Sequence, residues 1–435
     1  MIKHPLMHLI DLQKAGQAVG IYSACTANPL VIRACLQKAK ETHSILLVEA
    51  TANQVDQYGG YTGMKPADFI EFVQTLAKEE NFDSERILFG GDHLGPLTFA
   101  HHEEEKALQE AEELIRQYVL AGFTKIHIDT SMKVAGDPVD VRLSDEIIAT
   151  RGARLAKIAE AAYQERIKKF PNSIHPVYVV GSEVPIPGGS QEAVDTGIQV
   201  TKVADFKNTV ATFEKAFPKE SWPYVIAVVV QPGVEEKDAG CTDYDRLKAV
   251  DLMASIKDYA NLVFEGHSTD YQTQYHLREM VEDGVGILKV GPGLTYAARE
   301  ALFALAYAEK EVYKAQTSKQ SHFMEVLEEE MLKNPKYFVK HYHGTEDEIS
   351  YKRKFSFSDR SRYYLPQEPV QKAIAVLLEN FKDGVPYGVL SQFLPREYTA
   401  VRAGQLKNEP MELIKAHVGY TIDEYLYASH QEQLG

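Results

Sequence analysis

Eight short apolar runs, separated by helix-length segments, constrain this chain more than any other feature. They fall at 19–24, 45–50, 87–91, 126–130, 177–182, 225–230, 262–266 and 287–290, and they are rich in Val, Ile and Leu. They lack the polar alternation of a half-exposed strand, so they read as parallel strands covered on both faces. The segments between them carry helical periodicity; in 103–120, Leu108, Ala111, Leu114, Ile115 and Val119 share one face. Alternating strands and helices close into a barrel or spread into a doubly wound sheet. Eight strands favour the (β/α)8 TIM barrel, and no glycine-rich dinucleotide loop follows the first run, which reads Ser23-Ala24-Cys25-Thr26-Ala27-Asn28-Pro29. Such a barrel occupies about 250 residues. The 435-residue chain is therefore expected to divide into a barrel over 1–315 and a helical extension over 316–435. In that extension 323–332, 370–380 and 410–417 read as helices with no strand between them, packed on the barrel or on a second subunit.

Composition narrows the function. The formal charge of −15 opposes nucleic acid and anionic lipid, so an anionic substrate needs a local basic pocket. Cys25, Cys35 and Cys241 form no CxxC pair, and neither a disulfide framework nor a thiolate zinc site is expected. No apolar run nears the roughly 20 residues of a membrane span. The first residues lack a signal peptide's apolar core, so a soluble cytoplasmic protein is expected.

Most of the apolar runs end in polar residues of catalytic type, as barrel enzymes arrange their active face. Gly90-Gly91-Asp92-His93 closes the third run with a carboxylate for proton transfer beside an imidazole for a metal. His267 closes the seventh run and can meet His93 across the barrel mouth. Glu183, after the fifth run, can ligate a metal or act as acid or base, and Gln231, after the sixth, offers an amide oxygen to a metal or a hydroxyl. Asp129 is placed to orient a ligand histidine or contact substrate, and His127 shares its face as either a site or a core residue. Ser268, Thr269, Gly291 and Gly293 stand at the ends of the last two strands, where barrels bind phosphate through backbone N–H groups. Arg360 and Arg362, in Ser358-Asp359-Arg360-Ser361-Arg362-Tyr363-Tyr364, are further phosphate candidates, with a salt-bridged contact as the alternative. Cys25 has no evident base beside it and is read as core.

Across nearly its whole length the chain resembles the class II fructose/tagatose-bisphosphate aldolase superfamily, and more closely its tagatose-bisphosphate aldolase Z-subunit branch (GatZ/KbaZ). The likeness lies in Ala15-Gly16-Gln17-Ala18-Val19-Gly20, in Gly91-Asp92-His93 and in the stretch 121–131 around Ile126-His127-Ile128-Asp129. The motif 356–364 carries the likeness to the Z branch. The resemblance implies that Asp92 transfers protons and that His93 and His267 are two of three zinc-ligand histidines. The metal there polarises the substrate's carbonyl and hydroxyl and stabilises an enediolate. The third histidine position reads Gln231, and the glycine-rich phosphate loop after the seventh-strand histidine reads Ser268-Thr269-Asp270, where Asp270 opposes a phosphate.

The resemblance thus implies a divalent metal, zinc first, held by His93, His267 and one or both of Glu183 and Gln231. The substrate is a ketohexose phosphate, and the chain works in an oligomer or with a catalytic class II aldolase chain on tagatose 1,6-bisphosphate. Two alternatives stand beside this: a free-standing metal-dependent 4-epimerase interconverting fructose 6-phosphate and tagatose 6-phosphate, and a non-catalytic stabilising subunit. A kinase is disfavoured, because no GxxxxGK[ST] loop occurs and Gly291-Pro292-Gly293-Leu294-Thr295 lacks the lysine.

Overall fold

The computed structural model describes residues 3–138, 140–181 and 198–434. Eight parallel strands close into a barrel: β1 Ile21–Cys25, β2 Leu46–Thr51, β3 Ile87–Leu94, β4 Lys125–Ile128, β5 Val177–Val180, β6 Val225–Val230, β7 Val263–Gly266 and β8 Val285–Val290. β8 pairs with β1 through Ile21↔Ile287 to Ala24↔Val290, which closes the ring. A helix follows each strand, from Pro29–Glu41 after β1 to Pro292–Val312 after β8. The expected (β/α)8 architecture is therefore the observed one.

The barrel interior is layered, because side chains at i and i+2 of a strand share a face. Its lower layer is apolar: Leu47, Leu88, Val177, Val179, Ile226, Val263 and Ile287 pack together, and Leu6, Leu9 and Ile10 of the helix Pro5–Lys14 plug that end. Two residues farther along the strands the interior becomes ionic, with Glu49, Lys125, Glu265 and Lys289 all buried.

β3 runs three residues beyond the expected end and contains a bulge. Gly91 pairs with Ile126 and Leu94 with Ile128, so three steps on β3 face two on β4. His93 takes up the extra step at φ 49° in the left-handed region. In a regular strand Asp92 and His93 would point to opposite faces; here both are buried in one cluster. Gly90 permits this geometry, since a Cβ there would lie 2.5 Å from the Glu49 side chain.

After the barrel come the helices Phe323–Lys333, Glu346–Phe355, Glu368–Asn380, Tyr387–Phe393, Pro395–Arg402 and Pro410–Ser429. The last is far longer than the expected 410–417. Gly419, which weakens the helical pattern in sequence, lies against Lys38, where a Cβ would be 2.7 Å from the lysine Cε. This helix packs on those at Pro29–Glu41, Gln274–Glu282 and Pro292–Val312. Gln431 then accepts from Tyr22 N (3.2 Å) and donates to Ile45 O (2.9 Å). An antiparallel hairpin, Glu235–Lys237 with Gly240–Thr242, was not expected from sequence. Among the described residues no helix is long and apolar enough to cross a membrane.

Candidate active site

At the C-terminal mouth of the barrel a cavity of about 330 Å³ is lined by Asp92, His93, His267, Ser268, Lys289 and Gly291, and by Arg362 and Tyr363 from the extension. Asp92 is its best-connected carboxylate. Oδ1 lies 2.8 Å from His127 Nδ1, Oδ2 lies 2.8 Å from Lys289 Nζ and 3.7 Å from His93 Nε2, and Cys25 Sγ donates to Oδ2 at 3.4 Å. Burial pushes the Asp92 carboxyl up, but His93, Lys289 and His127 outweigh it and hold it well below the usual range. It is thus an ionised hydrogen-bond acceptor on the cavity wall.

Three imidazoles converge beside it: the ring centroids of His93, His127 and His267 lie 5.0 to 5.3 Å apart. His93 Nδ1 is 2.9 Å from Asp129 Oδ2. Burial would raise the Asp129 carboxyl, yet the His93 hydrogen bond and charge draw it down to about 2. An ionised carboxylate only accepts, so His93 Nδ1 carries a proton towards Asp129; burial lowers the ring but Asp92 and Asp129 outweigh it and raise it, and Nε2 offers a lone pair only once the ring is neutral. This carboxylate–imidazole pair is how proteins orient a metal-ligating histidine. His267 follows the same pattern: Nε2 donates to Glu265 Oε1 at 2.9 Å, and burial lowers the ring to about 4, leaving Nδ1 as the neutral donor atom. His127 differs, because its Nδ1 lies 2.8 Å from Asp92 Oδ1 and 3.2 Å from the His93 backbone N–H, and its Nε2 lies 3.1 Å from Gly181 O. It orients Asp92.

Beneath these groups runs an ionic chain. Lys125 Nζ bridges Glu49 (2.6 Å) and Glu265 (2.8 Å), and Lys289 Nζ bridges Glu49 (2.6 Å) and Asp92 (2.8 Å). Glu49, Asp92 and Glu265 thus face the two ammonium groups of Lys125 and Lys289. One donor atom each from Asp92, His127, Glu265 and His267 lies within 4.8 Å of the others. That donor set fits a divalent cation through the imidazoles of His127 and His267, and the His93 ring lies 5.2 Å from that of His267.

The structure brings Asp92, His93, Asp129 and His267 together and leaves several other expected residues elsewhere. Gln231 Oε1 accepts from Gly233 N (2.8 Å) and Val234 N (3.0 Å), so it closes a turn instead of facing the histidines. Thr269 Oγ1 donates to Lys289 O at 2.6 Å and lies 3.2 Å from Tyr425 Oη, away from the cavity. The amides of Gly291 and Gly293 already donate to Asp270 Oδ1, at 3.0 and 2.6 Å. Ser268 and Arg362 line the cavity; Arg360 is buried behind it, with Nη2 2.9 Å from His341 Nδ1. Glu183 lies outside the described residues. Sequence reading missed Glu49, Glu265 and Lys289, each a lone charge inside an apolar run, and Lys125, which stands just before the run 126–130. Cys25, read as core, also lines the cavity.

A family described as D-tagatose-1,6-bisphosphate aldolase subunit GatZ/KbaZ-like matches residues 6–430. The crystal structure of a probable tagatose 6 phosphate kinase from Sinorhizobium meliloti 1021 is similar at 40% identity and TM-score 0.84, covering 94% of this chain and 100% of that one. A fructose-bisphosphate aldolase from Campylobacter jejuni aligns at 14% identity and TM-score 0.45, covering 87% of this chain and 92% of that one.

Proposed function

The chain belongs to the D-tagatose-1,6-bisphosphate aldolase subunit GatZ/KbaZ-like family, and from that premise we propose that it acts on ketohexose phosphates by metal-assisted aldol and retro-aldol chemistry. What carries the reading is the ionised Asp92, fixed by His127 and Lys289 beside two imidazoles oriented by buried carboxylates. His93 and His267 would hold a divalent metal, zinc first, with Glu183 kept for proton transfer. Bound there, the metal supplies Lewis-acid stabilisation of charge developing on the substrate's carbonyl oxygen.

Asp92 takes the proton of the C4 hydroxyl. The oxygen's electron pair forms the aldehyde carbonyl as the C3–C4 bond breaks, and the electrons of that bond pass to the C2 carbonyl as an enediolate. In the Z-type aldolase role, worked with a catalytic class II chain on tagatose 1,6-bisphosphate, the fragments leave as glyceraldehyde 3-phosphate and glycerone phosphate. Glu183 is the proposed donor for the carbon. Arg362, whose Nη1 is buried and makes no hydrogen bond among the described residues, is the proposed phosphate contact.

A second reading is a free-standing 4-epimerase, in which the aldehyde turns over, C3 re-adds to its other face and Asp92 returns the proton. One observation favours it: acid/base, orienting residues and metal donors all stand in one chain. The test incubates the Zn²⁺-loaded chain alone with fructose 6-phosphate and separates the products, with an EDTA control. Chelator-sensitive tagatose 6-phosphate establishes the epimerase; no conversion alone, with cleavage of tagatose 1,6-bisphosphate stimulated in the presence of a catalytic chain, establishes the subunit role.

A further inference from the structure

Asp270 follows β7 and reaches across to the start of the 21-residue helix Pro292–Val312 after β8. Amides at such a helix start form an anion seat, since they lack intrahelical partners and lie at the positive end of the helix dipole. Here the seat is filled from within. Oδ1 of Asp270 accepts from Gly291 N (3.0 Å) and Gly293 N (2.6 Å), and the side chain is 2% exposed. The fit is close: a Cβ on Gly293 would sit 3.1 Å from that oxygen. A phosphate in this seat would have to expel the Asp270 side chain, whose carboxyl is pushed up to about 7 by burial and by Glu236, itself buried on the same cavity wall. Elsewhere Arg362 also lines the cavity, and its buried Nη1 has no hydrogen-bond partner among the described residues.

We propose that Asp270 sets the number of phosphates the site accepts: its carboxylate stands in for one phosphate, so the chain takes a ketohexose carrying a single phosphate, held at Arg362. This rests on the ketohexose-phosphate reading given above. It makes Asp270 a specificity residue that keeps bisphosphates out of this chain's own site, and so favours the 4-epimerase reading over cleavage of tagatose 1,6-bisphosphate in that site.

The test is calorimetric titration of the full-length, Zn²⁺-loaded chain with fructose 6-phosphate and with fructose 1,6-bisphosphate, for the wild type and for Asp270→Gly. The wild type is expected to bind the monophosphate at least about tenfold more tightly. Asp270→Gly, by freeing two amides, is expected to improve bisphosphate binding at least about tenfold while moving monophosphate binding less than about threefold. If Asp270→Gly does not fold, Asp270→Asn retains the accepting oxygen without the charge and is expected to narrow the preference by about threefold or more. Equal wild-type affinity for the two sugars, or a preference unchanged in the variant that folds, overturns the proposal and leaves the ketohexose-phosphate reading standing. Absence of binding by either sugar to any folded variant overturns that reading and the proposal with it.

Discussion

At the residue scale, the hydrogen-bond direction decides what each imidazole does. His93 and His267 each direct one ring nitrogen at a buried carboxylate, whereas His127 has Asp92 and the His93 backbone N–H at Nδ1 and a backbone carbonyl at Nε2. His93→Ala is therefore expected to lose stoichiometric zinc, measured by metal analysis after gel filtration. Asp129→Asn is expected to keep the metal with about 10–100-fold weaker affinity, read by competition with a chromogenic chelator. Wild-type affinity in His93→Ala would exclude that residue as a ligand. Asp92, His93 and His267 were legible in sequence because they are polar residues at the ends of apolar runs. Glu49, Lys125, Glu265 and Lys289 were not, because each is a single charge within a strand and only closure of β2, β4, β7 and β8 into one ring pairs them. Asp270 was read as opposing a phosphate, but its bonds to Gly291 and Gly293 span 21 and 23 residues and needed the fold.

At the element scale, strand identity was legible to within a few residues, since buried parallel strands have the strongest apolar signature. The bulge in β3 was not, because nothing local announces that His93 leaves the pleat. The extension was read least well. Its short helices Glu346–Phe355, Tyr387–Phe393 and Pro395–Arg402 carry few buried apolar residues and are fixed by the surfaces they meet. One such fixing point is His417, on the helix Pro410–Ser429, whose Nδ1 lies 2.7 Å from Glu397 and whose Nε2 lies 3.5 Å from Glu300. Burial lowers this imidazole, but the hydrogen bonds to Glu300 and Glu397 outweigh it and raise it to about 9. A group raised above its unfolded value of about 6.5 stabilises fully below that pH and loses its contribution as pH climbs through 9. Urea denaturation is expected to show roughly 1–2 kcal/mol less stability at pH 9.5 than at pH 6.5 from this group. His417→Gln should remove that part of the pH dependence; an unchanged slope in the variant would contradict the assignment.

For the whole molecule, the barrel sorts its interior by height: an apolar plug, then an ionic layer, then the acid/base and imidazole cluster, with the extension completing the mouth through Arg362 and Tyr363. The general fold could be read from eight runs and their spacing, whereas the layering depends on which residues share a height around the ring. The ionic layer holds Asp92 in place and charged, and the extension sets what can approach it. Both readings of the function require the chain's own Asp92 to move a proton. The most direct measurement compares wild type with Asp92→Asn, both Zn²⁺-loaded, for conversion of fructose 6-phosphate alone and of tagatose 1,6-bisphosphate in the presence of a catalytic class II chain. The account predicts that whichever conversion the wild type supports is EDTA-sensitive and falls about 10²–10⁴-fold in Asp92→Asn. Equal product from the two proteins would contradict it.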